Sequence, residues 1–432
     1  FNTGGIDCYG KPFSKRVDIP IDTVQALWIG VDIPEEARPG VYSGTVAIAA
    51  DGLTPMPVAI ELKITEDMLK DRGDSELWRH SRLRWLNSTA GTADTPVEPY
   101  TPIERDGERV ACLGRSVQVA DSALPTQIHS FGCDILAAPI QFVMNTQTGR
   151  LKMPTHPVRF THESEGSVAW ESHVSSDLLD IDCRASMEFD GYLHYDLALT
   201  AKQDLSFTDT RLELPFLPHV ATHMMGMGVT GGLCPDAHDW KWEGPQDSFW
   251  IGNAQGGLHC ELRGSTYHGP LLNRVKPPPP PTWSNAGQGG LRVERTENCV
   301  TVQAHTGAWT LKAGQPINFE FALTITPVKP LNPKRQFTDR YYHKARDPEP
   351  ADEHLAAGVK VVNIHHGNRF NPYINYPFLP DATERMKAFV KDGHRRGFKT
   401  KIYYTLRELT NHLHELWALR SLGHEVLADG DG

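Results

Sequence analysis

The residues whose types and spacing could do chemistry lie near the carboxyl end. His365-His-Gly-Asn368 follows one short apolar run, and Tyr403, Tyr404, Arg407 and Glu408 follow another. Imidazole, carboxamide, phenol, guanidinium and carboxylate groups supply hydrogen-bond donors and acceptors at close quarters. Glu408 is the only carboxylate among them and a candidate general acid, but it has no partner carboxylate. Pairing with Arg407 or the backbone is its commoner role. Adjacent residues on a strand point to opposite faces, so only one of His365 and His366 is expected to face a ligand. That alternation also disfavours a metal site at the doublet. His412-Leu-His414 has a metal-ligand spacing, but it falls in a helical pattern, where an i, i+2 pair diverges by about 200°. No metal or other cofactor is expected.

The elements that must position these groups are legible. Val359, Val361, Val362 and Ile364 form a short buried strand between Gly358 and Gly367. Asp381 stands where a helix N-cap belongs, with Glu384 three residues on. Met386, Phe389, Val390 and Gly393 follow on one helix face, and His394, Arg395 and Arg396 load the last turn before Gly397. A second strand, Lys399 to Tyr404, leads to a second helix with Leu413, Leu416, Trp417 and Leu422, ending at Gly423. Strand, helix, strand, helix is the unit of a parallel α/β sheet or barrel. Two such units cannot close a barrel, so the chain is expected to be a fragment cut inside that domain.

The remainder reads as β structure. Leu27–Val31 and Thr45–Ile48 are strand-like, and Val58–Ile64 alternates apolar and polar residues. Glu66 to Tyr100 includes a dense basic and aromatic stretch with Trp78, Arg79, Arg82, Arg84 and Trp85, read as a connector whose arginines pair with carboxylates and stack on Trp. From Thr101 to Pro327 short strands alternate with turn residues, most clearly in Tyr192–Thr200 and Ile317–Ile325, as in a large β-sandwich. Glycines at 226, 228, 231 and 232 lack the Lys-Ser/Thr of a phosphate loop and read as bulges and close packing. A formal charge of −10 argues against nucleic acid or an anionic membrane as partner. No apolar run is long enough to span a membrane. Seven dispersed cysteines without a CxxC pair suggest mostly buried thiols.

Several longer stretches carry a family resemblance. They are Leu27-Trp-Ile-Gly-Val31 with Pro39-Gly-Val-Tyr-Ser-Gly44, Arg82-Leu-Arg-Trp-Leu-Asn-Ser88, and Gly231-Gly232 with Trp240-Lys-Trp242. Asn363-Ile-His-His-Gly-Asn368 with Asn371-Pro-Tyr-Ile-Asn-Tyr-Pro377, and Ile402-Tyr-Tyr-Thr-Leu-Arg-Glu408, complete the set. On these the chain resembles bacterial proteins of glycoside hydrolase family 123.

The resemblance implies a multidomain β plus α/β protein: an N-terminal β-sandwich, a large second β-sandwich, then the first βα units of a (β/α)8 barrel. Domains are expected at 1–66, 67–100 (connector), 101–328, 329–354 (Pro-rich linker) and 355–432. A carbohydrate substrate is implied, with an acidic catalytic pair further along the barrel, and a fragment without it is expected to be inactive on glycosides. Barrel sites lie at the C-terminal strand ends, which makes His365, His366, Asn368, Tyr403, Tyr404 and Arg407 the expected substrate-binding residues. The alternative is a non-catalytic glycan-binding β-sandwich protein. A periplasmic or extracellular location is the expectation either way.

Overall fold

A computed structural model describes residues 4–6, 12–14, 18–25, 27, 29–31, 33–70, 93–154, 156–264, 279–344, 346–374, 380–403, 410–412, 416–425 and 427. Sheet dominates, and helices are few. The chain divides into two units: Phe1–Ser14 with Thr89–Asn332 and Ala428–Gly432, and Lys15–Ser88 with Pro333–Leu427. The connector expected at 67–100 falls largely outside the described residues, as do Trp78, Arg79, Arg82, Arg84 and Trp85.

In the first unit the alternating segments become strands. Leu193, Tyr195, Leu197 and Leu199 are buried on one face of Tyr192–Ala201, while Tyr192, His194 and Asp196 stay half-buried on the other. That strand lies beside Ile317–Thr326, the fifth strand of a nine-stranded sheet whose next member is Gly257–Arg263. A six-stranded sheet includes Gln141–Thr146, Asp209–Phe216 and Val300–His305. One hydrophobic core draws on both sheets, with Leu212, Leu214 and Val302 from the six and Tyr195, Phe319 and Phe321 from the nine. Phe142 meets Phe319 edge-on across it, ring centroids 5.1 Å apart. Each such fully buried side chain stabilises the fold by roughly 1.5–3 kcal/mol.

The glycine-rich stretch packs, as its residues suggest. Gly226 has φ +96° at a bulge between Met224 and Gly226, and a Cβ there would lie 2.3 Å from Ser248 O. Buried Arg115 ties three segments of this unit together. Its Nε donates to Leu113 O at 3.1 Å, and its Nη1 donates to Asp190 O and, at 3.3 Å, to Ile325 O.

In the second unit, Gly40–Ile48 and Met56–Ile64 pair as a hairpin in unbroken register from Gly40 opposite Ile64 to Ile48 opposite Met56. It is the only ladder among the described residues of 18–70. Residues 27 and 29–31, expected as a strand, form none, and Trp28 lies outside the described residues. Leu27, Ile29 and Val31 are all exposed and join neither a ladder nor a core cluster among the described residues.

The carboxyl-terminal part holds a parallel sheet of three strands, not two: Arg340–His343, Val359–Ile364 and Lys399–Ile402. The first comes from the stretch read as a linker. Its partner strand supplies the pairing that four residues among prolines do not announce. Helix Pro380–Arg396 joins the second strand to the third and buries Ala382, Met386 and Phe389. The helix begins one residue before Asp381, which therefore sits in its first turn and not at its cap. Proline is at home in that first position. At the other end Gly397 (φ +87°) reverses the chain, and Phe398 N donates to Gly393 O at 2.9 Å. Phe398 joins Val359, Val362, Ile364, Phe370, Met386 and Phe389 in a second core.

Candidate functional site at the parallel strand ends

The three parallel strands end together, and their terminal residues form one cluster. His343 closes the first strand, in register with Asn363 of the second, which is in register with Lys401 of the third. The Asn363 amide Nδ2 donates to His343 Nδ1 at 2.7 Å. His365 and His366 follow the second strand, and Tyr403 follows the third, its N–H donating to Ile364 O at 2.9 Å.

His365 is the hub. Its ring stacks on Tyr403, with centroids 4.4 Å apart and planes within 19°. It meets His343 edge-on at 5.7 Å and lies 4.2 Å from His366. The two imidazoles thus share one side, against the strand-alternation expectation. The strand stops at Ile364, so both histidines occupy a loop where alternation no longer holds. His366 Nδ1 is buried with no hydrogen-bond partner among the described residues.

Asn368, expected to offer its amide to a ligand, is engaged within its own loop. Its Nδ2 donates to His365 O at 2.8 Å, and its Oδ1 accepts from Phe370 N at 3.0 Å and Asn371 N at 3.1 Å. Asn368 therefore fixes the turn that carries the histidines. Tyr404, Arg407 and Glu408 lie outside the described residues. His412 lies in a turn, not a helix, and stacks on Tyr373 at 4.0 Å, while His414 also lies outside the described residues. Among the described residues no group of three or more His, Cys, Asp or Glu is placed to hold a metal ion.

His343 and Asn363 are the members of the cluster that sequence reasoning left out. Asn363 had a signal, the penultimate position of a recognised strand. His343 had none until its strand was seen to pair. The cluster combines an imidazole–phenol stack with imidazole and carboxamide edges. It can hold a ring and hydrogen-bond the groups around it, but it supplies no described carboxylate for proton transfer.

Three family comparisons cover most of the chain. The family described as "Glycoside hydrolase 123, third domain" matches residues 103–327, "Glycoside hydrolase 123, TIM-barrel domain" matches 332–432, and "Glycoside hydrolase 123 N-terminal domain" matches 6–50. No curated protein matches the chain. Solved structures with partial likeness include a galactose mutarotase related enzyme from Lactobacillus acidophilus, at 8% identity over 53% of this chain and 98% of that one, TM-score 0.30. A putative aldose 1-epimerase from Escherichia coli K12 matches at 9% identity over 52% of this chain and 98% of that one, TM-score 0.30. Likeness at this TM-score carries no conclusion about activity.

Proposed function

Because the chain belongs to glycoside hydrolase family 123, we propose that it is a carbohydrate-active protein, a glycoside hydrolase acting on a poly- or oligosaccharide. In this reading the cluster at the parallel strand ends contacts a sugar. The observation that carries it is the convergence of His343, Asn363, His365, His366 and Tyr403 at the C-terminal ends of three adjacent parallel strands. That is where barrel enzymes bind substrate. A pyranose presents a ring face and a rim of hydroxyls. The His365–Tyr403 stack suits the face, and the edges of His343, His366 and Asn363 suit the rim.

The same reading extends to the fold. The three strands are taken as the opening of a (β/α)8 barrel, which the match over 332–432 supports. The two large sheets are taken as the halves of a β-sandwich, supported by their shared core and by the match over 103–327. Glycoside hydrolysis takes two carboxyl groups, or one with help from the substrate. The described cluster holds neither, so its task is to grip and orient the sugar while carboxylates from elsewhere transfer the proton.

The test is binding of a panel of neutral oligosaccharides to the full chain and to His365→Ala and Tyr403→Ala. Losing the stack removes about 0.5–1.5 kcal/mol, or roughly 2- to 12-fold in affinity. Variants that bind every member of the panel as tightly as the parent remove these strand ends from the sugar site. Release of product from an aryl glycoside by the same protein would favour the hydrolase over a glycan binder.

A further inference from the structure

The nine-stranded sheet of the first unit carries a second group of chemistry-bearing side chains, on the face opposite its core residues. In one row across four adjacent strands, Arg184 faces Asp196, Asp196 faces Glu320, and Glu320 faces Arg263. The next row brings His194 and Glu261 to either side of Ala322. The row after that sets Tyr192, Thr324, His259 and Trp250 side by side. His194 Nε2 lies 2.8 Å from Glu320 Oε1. Arg263 Nη1 donates to Tyr192 Oη and to Glu261 Oε2, each at 3.1 Å.

The middle of this row is the wrong choice for a face that serves stability alone. Opposite charges placed across strands stabilise a sheet, and like charges directly opposite destabilise it. Yet Asp196 and Glu320 oppose each other on central strands. Arg263 Nε lies 3.5 Å from Glu320 Oε1, whereas Asp196 Oδ1 is buried without a hydrogen-bond partner among the described residues. Burial, then Glu320, push the Asp196 carboxyl above its ordinary range, while the hydrogen bond with His194 holds Glu320 below its own. Neighbouring carboxyls driven apart in this way are a recurrent feature of binding and catalytic sites.

The ligand class follows from the inventory. Two arginines and His194 stand against three carboxylates, so the face has little net charge with which to select an ion. It offers acceptors, donors and the half-buried rings of Tyr192 and Trp250. That combination fits a neutral polyhydroxylated ring. We propose that this face of the nine-stranded sheet is a second saccharide-binding site, with Asp196 and Glu320 accepting sugar hydroxyls, His194 and Arg263 donating to them, and Trp250 and Tyr192 flanking the ring. The site belongs to the other unit and stands independently of the parallel-strand cluster.

The experiment titrates the full chain with galactose, glucose, N-acetylgalactosamine and N-acetylglucosamine, by saturation-transfer NMR and calorimetry. Asp196→Asn and Glu320→Gln should each weaken binding tenfold or more in a His365→Ala background, where the strand-end cluster is disabled. Because Asp196→Asn removes a like-charge opposition, its melting temperature should stay level or rise while binding falls. The proposal is overturned if none of the four sugars binds the parent, or if both carboxamide variants bind as the parent does. It is also overturned if Asp196→Asn loses melting temperature along with affinity, which marks a structural pair. Binding lost only in His365→Ala refutes this site and leaves the strand-end reading intact.

Discussion

Asn368→Ala gives the sharpest test of how the histidine loop is held. The side chain is 8% exposed and makes three bonds within its own turn: one donated to His365 O and two accepted by the single Oδ1. Each bond contributes on the order of 1 kcal/mol net. Because two of them share one oxygen, their joint loss is about 2–3 kcal/mol. A global melt would blur this, since a chain of two units need not unfold in one step. Amide hydrogen exchange reads it locally. The Phe370 and Asn371 amides should exchange roughly 30- to 150-fold faster in the variant, the ratio equivalent to that energy. Asn368→Asp keeps the acceptor and loses the donor, so it should fall between the two. Oligosaccharide affinity should drop with the exchange, because the loop that positions His365 and His366 has loosened. Exchange within threefold of the parent in Asn368→Ala would refute the clamp.

Two further outcomes are expected in the first unit. Gly191 has φ +82°, and a Cβ there would lie 2.4 Å from Nη1 of Arg115, which is anchored to Asp190 O and Ile325 O. Gly191→Ala should therefore cost about 2–5 kcal/mol from left-handed backbone and overpacking together. A melting temperature equal to the parent's would show that Arg115 is free to move aside. Burial pushes the Cys112 thiol to about 11 and that of Cys183 to about 12, and raises Cys260 as well. At pH 8 a disulfide reagent should spare these three in the native protein and modify all of them after denaturation, as mass spectrometry of labelled peptides would register. Rapid native labelling of Cys260 would contradict its burial.

Local signals carried the regular elements. The alternation of Tyr192–Ala201 and Ile317–Thr326, the apolar run at 359–364 and the punctuated helix before Gly397 all formed close to where their residues place them. Signals that depend on a partner did not carry. Arg340–His343 is a strand because Val359–Ile364 lies beside it, whereas Leu27, Ile29 and Val31 join no ladder among the described residues, although their run is the more strand-like in composition. The histidine doublet misled because the period of two holds only as far as Ile364. The type of Asn368 says what it can bond, not that its own loop would engage its Oδ1 and one N–H. Asp196 and Glu320 each look like an ordinary polar position of an alternating strand. Their opposition exists only in the register between two strands far apart in sequence.

The unit made of Lys15–Ser88 and Pro333–Leu427 is interrupted by the whole of Thr89–Asn332. During synthesis its first piece leaves the ribosome early and waits. At roughly 5–20 residues per second, the intervening stretch takes on the order of 10–50 s to emerge. The 40–48 and 56–64 strands have only each other as ladder partners among the described residues, and a solitary hairpin is marginal in water. Ile21, Val24 and Leu53, exposed in the finished protein, are bare throughout the wait. The described strands of the stretch between pair among themselves and can finish without either flank. The earlier piece of this unit is therefore joined by its later piece only after the whole of Thr89–Asn332 has been made.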